Sequence, residues 1–154
     1  MKSKLFTLIT CAVMLIAAGC KDKPKEPESI IGTTERPTWT NPEDYDMSSS
    51  MTAIVQVDMS LTYTAEQLAA ANYAQTSDDL LAAFSGDQCL GVAEQVDGLF
   101  FLYITAPEEG SNVTIKHYSS VLKNIFTAQP VAFRNDTQLG TVSEPYLPAW
   151  TVVK

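Results

Sequence analysis

Apolar and polar residues alternate along much of the chain after residue 50. Met51, Ala53, Val55, Val57 and Met59 stand between Thr52, Ile54, Gln56 and Asp58, a period of two that buries one face of a strand and leaves the other mostly polar. Residues 80–84 form a compact apolar run, Gly86-Asp87 supplies a turn, and a second run covers residues 89–93. Asp97-Gly98 is the strongest hairpin signal, because a type I′ turn needs positive φ at both central residues. It leads into Leu99-Phe100-Phe101-Leu102-Tyr103-Ile104-Thr105, apolar on both faces and therefore expected as a central strand covered on both sides. Residues 113–118 alternate again, and residues 131–133 and 150–153 supply late strands, with Asn135-Asp136 and Leu139-Gly140 as turns between them.

Two segments break this rhythm. Thr64-Ala65-Glu66-Gln67 fits a capping box ahead of Leu68-Ala69-Ala70-Ala71, which predicts a short helix over residues 65–73. Residues 119–126 fit either a helical turn or a short edge strand. Short strands spaced by Gly and Pro turns predict an all-β domain, a β-sandwich of immunoglobulin-like general architecture with one helical insert, over residues 43–154.

The N-terminus follows a different pattern. Lys2 and Lys4 precede an apolar run over residues 5–18, shorter than the roughly 20 residues a membrane-spanning helix needs, so residues 1–19 are expected to be a cleaved export signal. The exit, Ala17-Ala18-Gly19-Cys20, resembles the lipobox of bacterial lipoproteins, although Ala17 stands where Leu is commonest. That resemblance implies acylation of Cys20 and anchorage by lipid. Cys11 would leave with the signal, and Cys89 would remain as a buried strand thiol acting as a small hydrophobe.

Residues 20–42, rich in charge and proline, are expected to form a flexible tether between lipid and domain. Charge sharpens the division. The chain holds 18 acidic and 10 basic residues; Lys21, Lys23, Lys25 and Arg36 balance Asp22, Glu26, Glu28 and Glu35, leaving 14 acids against 4 bases after Thr38. An acidic domain is a poor partner for nucleic acid or an anionic membrane patch. The charged tether is similar to the export tags of surface lipoproteins in the Bacteroidota, which implies an outer-membrane location with the cell surface favoured over the periplasmic face.

Further along, Asp78-Asp79-Leu80-Leu81-Ala82-Ala83-Phe84, Gly86-Asp87-Gln88-Cys89-Leu90-Gly91-Val92-Ala93, Phe101-Leu102-Tyr103-Ile104, residues 113–118, Leu139-Gly140-Thr141 and Glu144-Pro145-Tyr146 resemble a module recurring in exported Bacteroidota proteins. There an aspartate precedes an apolar strand ending in Ala-Phe, and a short turn leads to Cys-x-Gly-Val-Ala. Leu90 departs from the arginine expected at its position. The resemblance implies a β-sandwich on surface and secreted proteins and transfers no catalytic residue.

The candidate chemistry is sparse. His117, the single histidine, lies in an alternating strand and is expected to face solvent or cap a polar contact. There is no G-x-S-x-G, no H-E-x-x-H and no phosphate-cradling glycine loop. The acidic pairs Glu43/Asp44, Asp78/Asp79 and Glu108/Glu109 are expected as solvated loop charge, because neighbours on a strand point to opposite faces. Glu43, Asp44 and Asp46 cluster closely enough to suggest a calcium site without the EF-hand pattern. Trp39, Tyr45 and Trp150 are the candidate ligand-binding aromatics, for glycan or protein. The expected function is a non-catalytic interaction or accessory module, not an enzyme. A surface or periplasmic carbohydrate-binding protein is the alternative, and a small hydrolase the second alternative.

Overall fold

A computed structural model of the chain describes residues 25–44, 48–105 and 108–154. The expected export signal, the lipidated Cys20, Tyr45 and Asp46 lie outside the described residues. Among the described residues, ten strands follow in order: β1 (Ser50–Gln56), β2 (Leu80–Ser85), β3 (Gln88–Val92), β4 (Glu94–Val96), β5 (Leu99–Thr105), β6 (Asn112–Ser119), β7 (Asn124–Thr127), β8 (Val131–Ala132), β9 (Thr137–Leu139) and β10 (Thr151–Val152). One helix, α1 (Ala65–Ala70), and a 3-10 turn at Met59–Leu61 join β1 to β2.

The strands form two sheets. Sheet A has the order β4-β5-β1-β9, with β9 parallel to β1 and the other pairs antiparallel. Sheet B has the order β10-β7-β6-β2-β3, with β8 added to β6. The expected all-β sandwich is what the chain adopts. Alternation explains it: Met51, Ala53 and Val55 of β1 and Phe100, Leu102 and Ile104 of β5 point inward. They meet Leu81 and Ala83 of β2, Val113 and Ile115 of β6, and Phe126 of β7 in one core. The chain changes sheets within two residues. Ala93 N–H still donates to Leu81 O in sheet B (2.8 Å), and Glu94 then pairs with Phe101 in sheet A.

Local signals place the connections. Asp97 and Gly98 have φ of 50° and 80°, the double positive φ that the β4–β5 hairpin requires. Thr64 caps α1 through a reciprocal capping box with Gln67, and the helix ends at Ala70, short of Tyr73, where Asn72 turns left-handed at φ 49°. The ambiguous segment after residue 119 becomes a turn followed by β7, which pairs with β6.

Residues 32–41, expected as part of the flexible tether, are bonded to the domain. Gly32 N–H donates to Leu122 O (2.8 Å), Thr34 N–H to Lys123 O (2.9 Å), Arg36 Nε to Asp78 O (3.2 Å), and Asn41 Oδ1 accepts from Val92 N–H (2.7 Å). Trp39 packs edge-on against Phe84 with ring centroids 5.4 Å apart. Residues 30–42 therefore form a strap: Ile30 packs against the core, Trp39 covers Phe84 on the outer face of sheet B, and Asn41 satisfies the open edge of β3.

Candidate functional site

The two outer faces of the sandwich differ. On sheet B, Phe84 carries Trp39 on one side and the Lys116 ammonium 4.5 Å from its ring centroid, while Tyr118 Oη donates to Thr34 O (3.4 Å). The strap closes that face. On sheet A, β5 presents Leu99, Phe101 and Tyr103 outward, and β1 presents Thr52 and Ile54 beside them. Register fixes the neighbours: Ile54 lies opposite Phe101, Thr52 opposite Tyr103, Gln138 of β9 beside Thr52, and Glu94 and Val96 of β4 opposite Phe101 and Leu99.

These residues build an apolar surface with a polar margin. Ile54, Leu99, Phe101 and Tyr103 are half-buried, and Val96 is 45% exposed. Thr52, Ile54, Phe101, Tyr103 and Gln138 surround a shallow depression of about 290 Å³. Gln138 is held by its Nε2, which donates to Gly140 O at 2.9 Å. The apolar run of β5 was expected to be covered on both sides; its outward row instead forms this half-open face. This half-buried apolar face is the candidate site.

The sequence-predicted residues fall elsewhere. Trp150 is 4% exposed and sits in the core, its ring 5.6 Å from that of His117, so it offers no face to a ligand. Trp39 belongs to the strap, and the two tryptophans do not form one platform. Glu43 and Asp44 are exposed, and no group of three or more His, Cys, Asp or Glu side chains gathers among the described residues. Cys89 is half-buried in β3, and burial raises its thiol pKa, which works against a thiolate nucleophile.

His117 is fully buried rather than facing solvent. Its position on β6 is inward, beside Phe126 of β7, and Phe100, Phe126 and Trp150 enclose the ring. Nδ1 lies 3.1 Å from Leu80 O, and because a carbonyl only accepts, Nδ1 carries the proton. Burial pushes the imidazole pKa down to about 4, with the Asp79 carboxylate and the Leu80 carbonyl pulling weakly the other way.

Asp79 also departs from the expected solvated charge. It is 3% exposed and accepts from Ser120 N–H (2.8 Å), Ser120 Oγ (2.7 Å), Thr76 N–H (3.3 Å) and Thr76 Oγ1 (3.2 Å). It ties the loop before β2 to the turn after β6. No relay results: the carboxylate reaches Ser120 directly, and the histidine that would have to stand between them bonds to a backbone carbonyl instead.

Sequence reasoning therefore named Trp39, Tyr45 and Trp150 and passed over Ile54, Phe101 and Tyr103. The signal for the second group was the uninterrupted apolar run of β5. Comparison of the chain with protein-family models, with curated proteins and with solved structures finds no match. The class defined by the fold and this face is a β-sandwich with one strapped sheet and one half-open aromatic sheet.

Proposed function

We propose that this is a lipid-anchored protein of the cell envelope whose β-sandwich serves as a non-catalytic interaction module on the cell surface. The observation that carries the reading is the outer face of sheet A, where Ile54, Leu99, Phe101 and Tyr103 stay half-exposed while the chain covers the opposite sheet with its own strap. An apolar surface of this kind has a cost in solubility, and binding is the role that retains it. The basic start, the apolar run and Gly19-Cys20 support the anchor.

Two measurements test the two halves of the proposal. Metabolic labelling with a fatty acid is expected to mark the protein and to vanish with Cys20→Ala; label retained in that variant contradicts the anchor. For the module, a reporter thiol at Gln138→Cys in a Cys89→Ser background is expected to react with a maleimide in the purified protein and to be protected on intact cells. Equal reactivity in both settings contradicts a binding role for this face.

A further inference from the structure

The chain enters the domain at one end. Asn124 Nδ2 donates to Ile30 O (3.0 Å) and Gly32 N–H to Leu122 O (2.8 Å), so the strap is fixed at the turn between β6 and β7. Just before that point Pro27 and Glu28 share a small pocket with Ala70 and Ala71 of the α1 end. On the β10 side, Ile30 and Ile31 line a groove of about 440 Å³ with Tyr63, Gln67, Val152 and Lys154. Ten residues separate Cys20 from Ile30. Covalent geometry limits them to about 35 Å at full extension, about the diameter of a domain this size. A lipid on Cys20 therefore holds the α1–β10 end towards the membrane. A tether free as far as residue 42 would reach roughly twice as far and favour no particular side.

The side chains at that end suit a lipid surface. Ile31, Leu61 and Val153 are 47%, 56% and 47% exposed, and each belongs to a segment that lines the groove. Charge points the same way. Lys25, Lys123 and Lys154 on the flanking segments offset Glu26, Glu28 and Glu66, which leaves 13 acids and 2 bases for the rest of the chain after Thr38. An anionic bilayer repels those other sides and spares this one. Exposed aliphatic side chains with lysines beside them settle at the headgroup level, where the ammonium groups reach phosphates from their apolar stems.

We infer that the domain docks by its α1–β10 end onto the bilayer that holds the anchor, with Ile31, Leu61 and Val153 against the lipid and Lys123 and Lys154 at its phosphates. This rests on the lipid anchor proposed above and adds the surface that meets the membrane. The acylated protein tests it, reconstituted in vesicles of phosphatidylethanolamine and phosphatidylglycerol that carry a headgroup nitroxide lipid. Single thiols at Leu61→Cys, Val153→Cys and Asp87→Cys, each in a Cys89→Ser background, take a fluorescent label. Asp87 is the control because it lies in the β2–β3 turn, about 17 Å along β2 from Leu80, which pairs with Tyr118 near the β6–β7 turn. The nitroxide is expected to quench the labels at Leu61→Cys and Val153→Cys and to leave the one at Asp87→Cys bright. Ile31→Ser with Leu61→Ser is expected to remove the quenching at Val153→Cys, and Tm measured for that variant checks that the fold is intact.

Equal quenching at all three positions, or none at any, overturns the inference, as does quenching at Val153→Cys that survives both serine substitutions. If the protein carries its acyl group and floats with the vesicles while one of those results is seen, the anchor stands and the docked end alone falls. A protein without the acyl group, found apart from the vesicles, overturns both.

Discussion

Replacing Asp79 with alanine removes the acceptor on which two separate segments converge. Four donors lose it: the backbone N–H and hydroxyl of Ser120, and the backbone N–H and hydroxyl of Thr76. The two hydroxyls already lie 2.7 Å apart and can bond to each other, so the lasting loss is the two backbone donors. A buried donor left without a partner costs about 1–3 kcal/mol, and the lost charge-assisted bonds add to that, which gives about 3–5 kcal/mol for Asp79→Ala. Against a typical total of about 5–15 kcal/mol this is a large fraction, lowering Tm by roughly 10–20 °C. Asp79→Asn keeps one carbonyl oxygen for Ser120 and turns a donor toward Thr76 N–H, so its cost should fall between those of Asp79→Ala and Ser120→Ala. Urea unfolding at neutral pH reads all three. A cost for Asp79→Ala below about 1 kcal/mol would show that the carboxylate does not hold the two segments together.

Further tests address the other features of the sandwich. Phe100 and Phe101 are consecutive but face opposite sides, so Phe100→Ala should cost about 3–5 kcal/mol and Phe101→Ala about 1 kcal/mol by chemical unfolding; equal costs would contradict the assigned faces. His117 is held neutral in the fold with its pKa down to about 4, whereas the unfolded chain takes up a proton near 6.5. Stability should therefore fall as pH drops from about 6.5 towards 4, by up to about 3 kcal/mol, and His117→Phe should flatten that slope; an unchanged slope would refute the assignment. A methyl group on Gly32 would meet Lys123 O at 2.7 Å and the Asn124 side chain, so Gly32→Ala should lift the strap and make residues 30–42 sensitive to limited proteolysis; undiminished resistance would mean that the strap is held elsewhere.

The parts of the fold that depend on local chemistry were readable in the chain. Period-two alternation identified β1 and β6, Asp97-Gly98 identified the β4–β5 hairpin, and Thr64 with Gln67 identified the start of α1. Features that depend on what lies opposite in space were not. Asp79 and His117 look like surface residues until β6 and its following turn are brought beside β2. Trp150 stands between Pro148-Ala149 and Thr151 in a run too short to show a period, yet the short β10 pairs with β7 beside it and folds it into the core. The strap was hidden by its charge and proline, because Ile30, Pro37 and Trp39 are too widely spaced to show a period. Short strands such as β4 and β9, three residues each, carry too few positions to alternate visibly.

The same limit applies to the candidate site. An apolar row on both faces of β5 is compatible with burial on both sides or with one open face, and only the placement of the strap on sheet B rather than sheet A separates these. That placement covers the outer face of sheet B and leaves Leu99 and Phe101 of sheet A half-exposed.

Maleimide reactivity of Gln138→Cys on intact cells, with and without Phe101→Ser and with Tm measured for both proteins, tests most directly whether sheet A's outer face is kept for binding. The account predicts that Phe101→Ser abolishes the protection while Tm falls by only a few degrees. Protection that survives the substitution would contradict it, and so would a collapse of the fold, which would make Phe101 a support of the structure and not of its interactions.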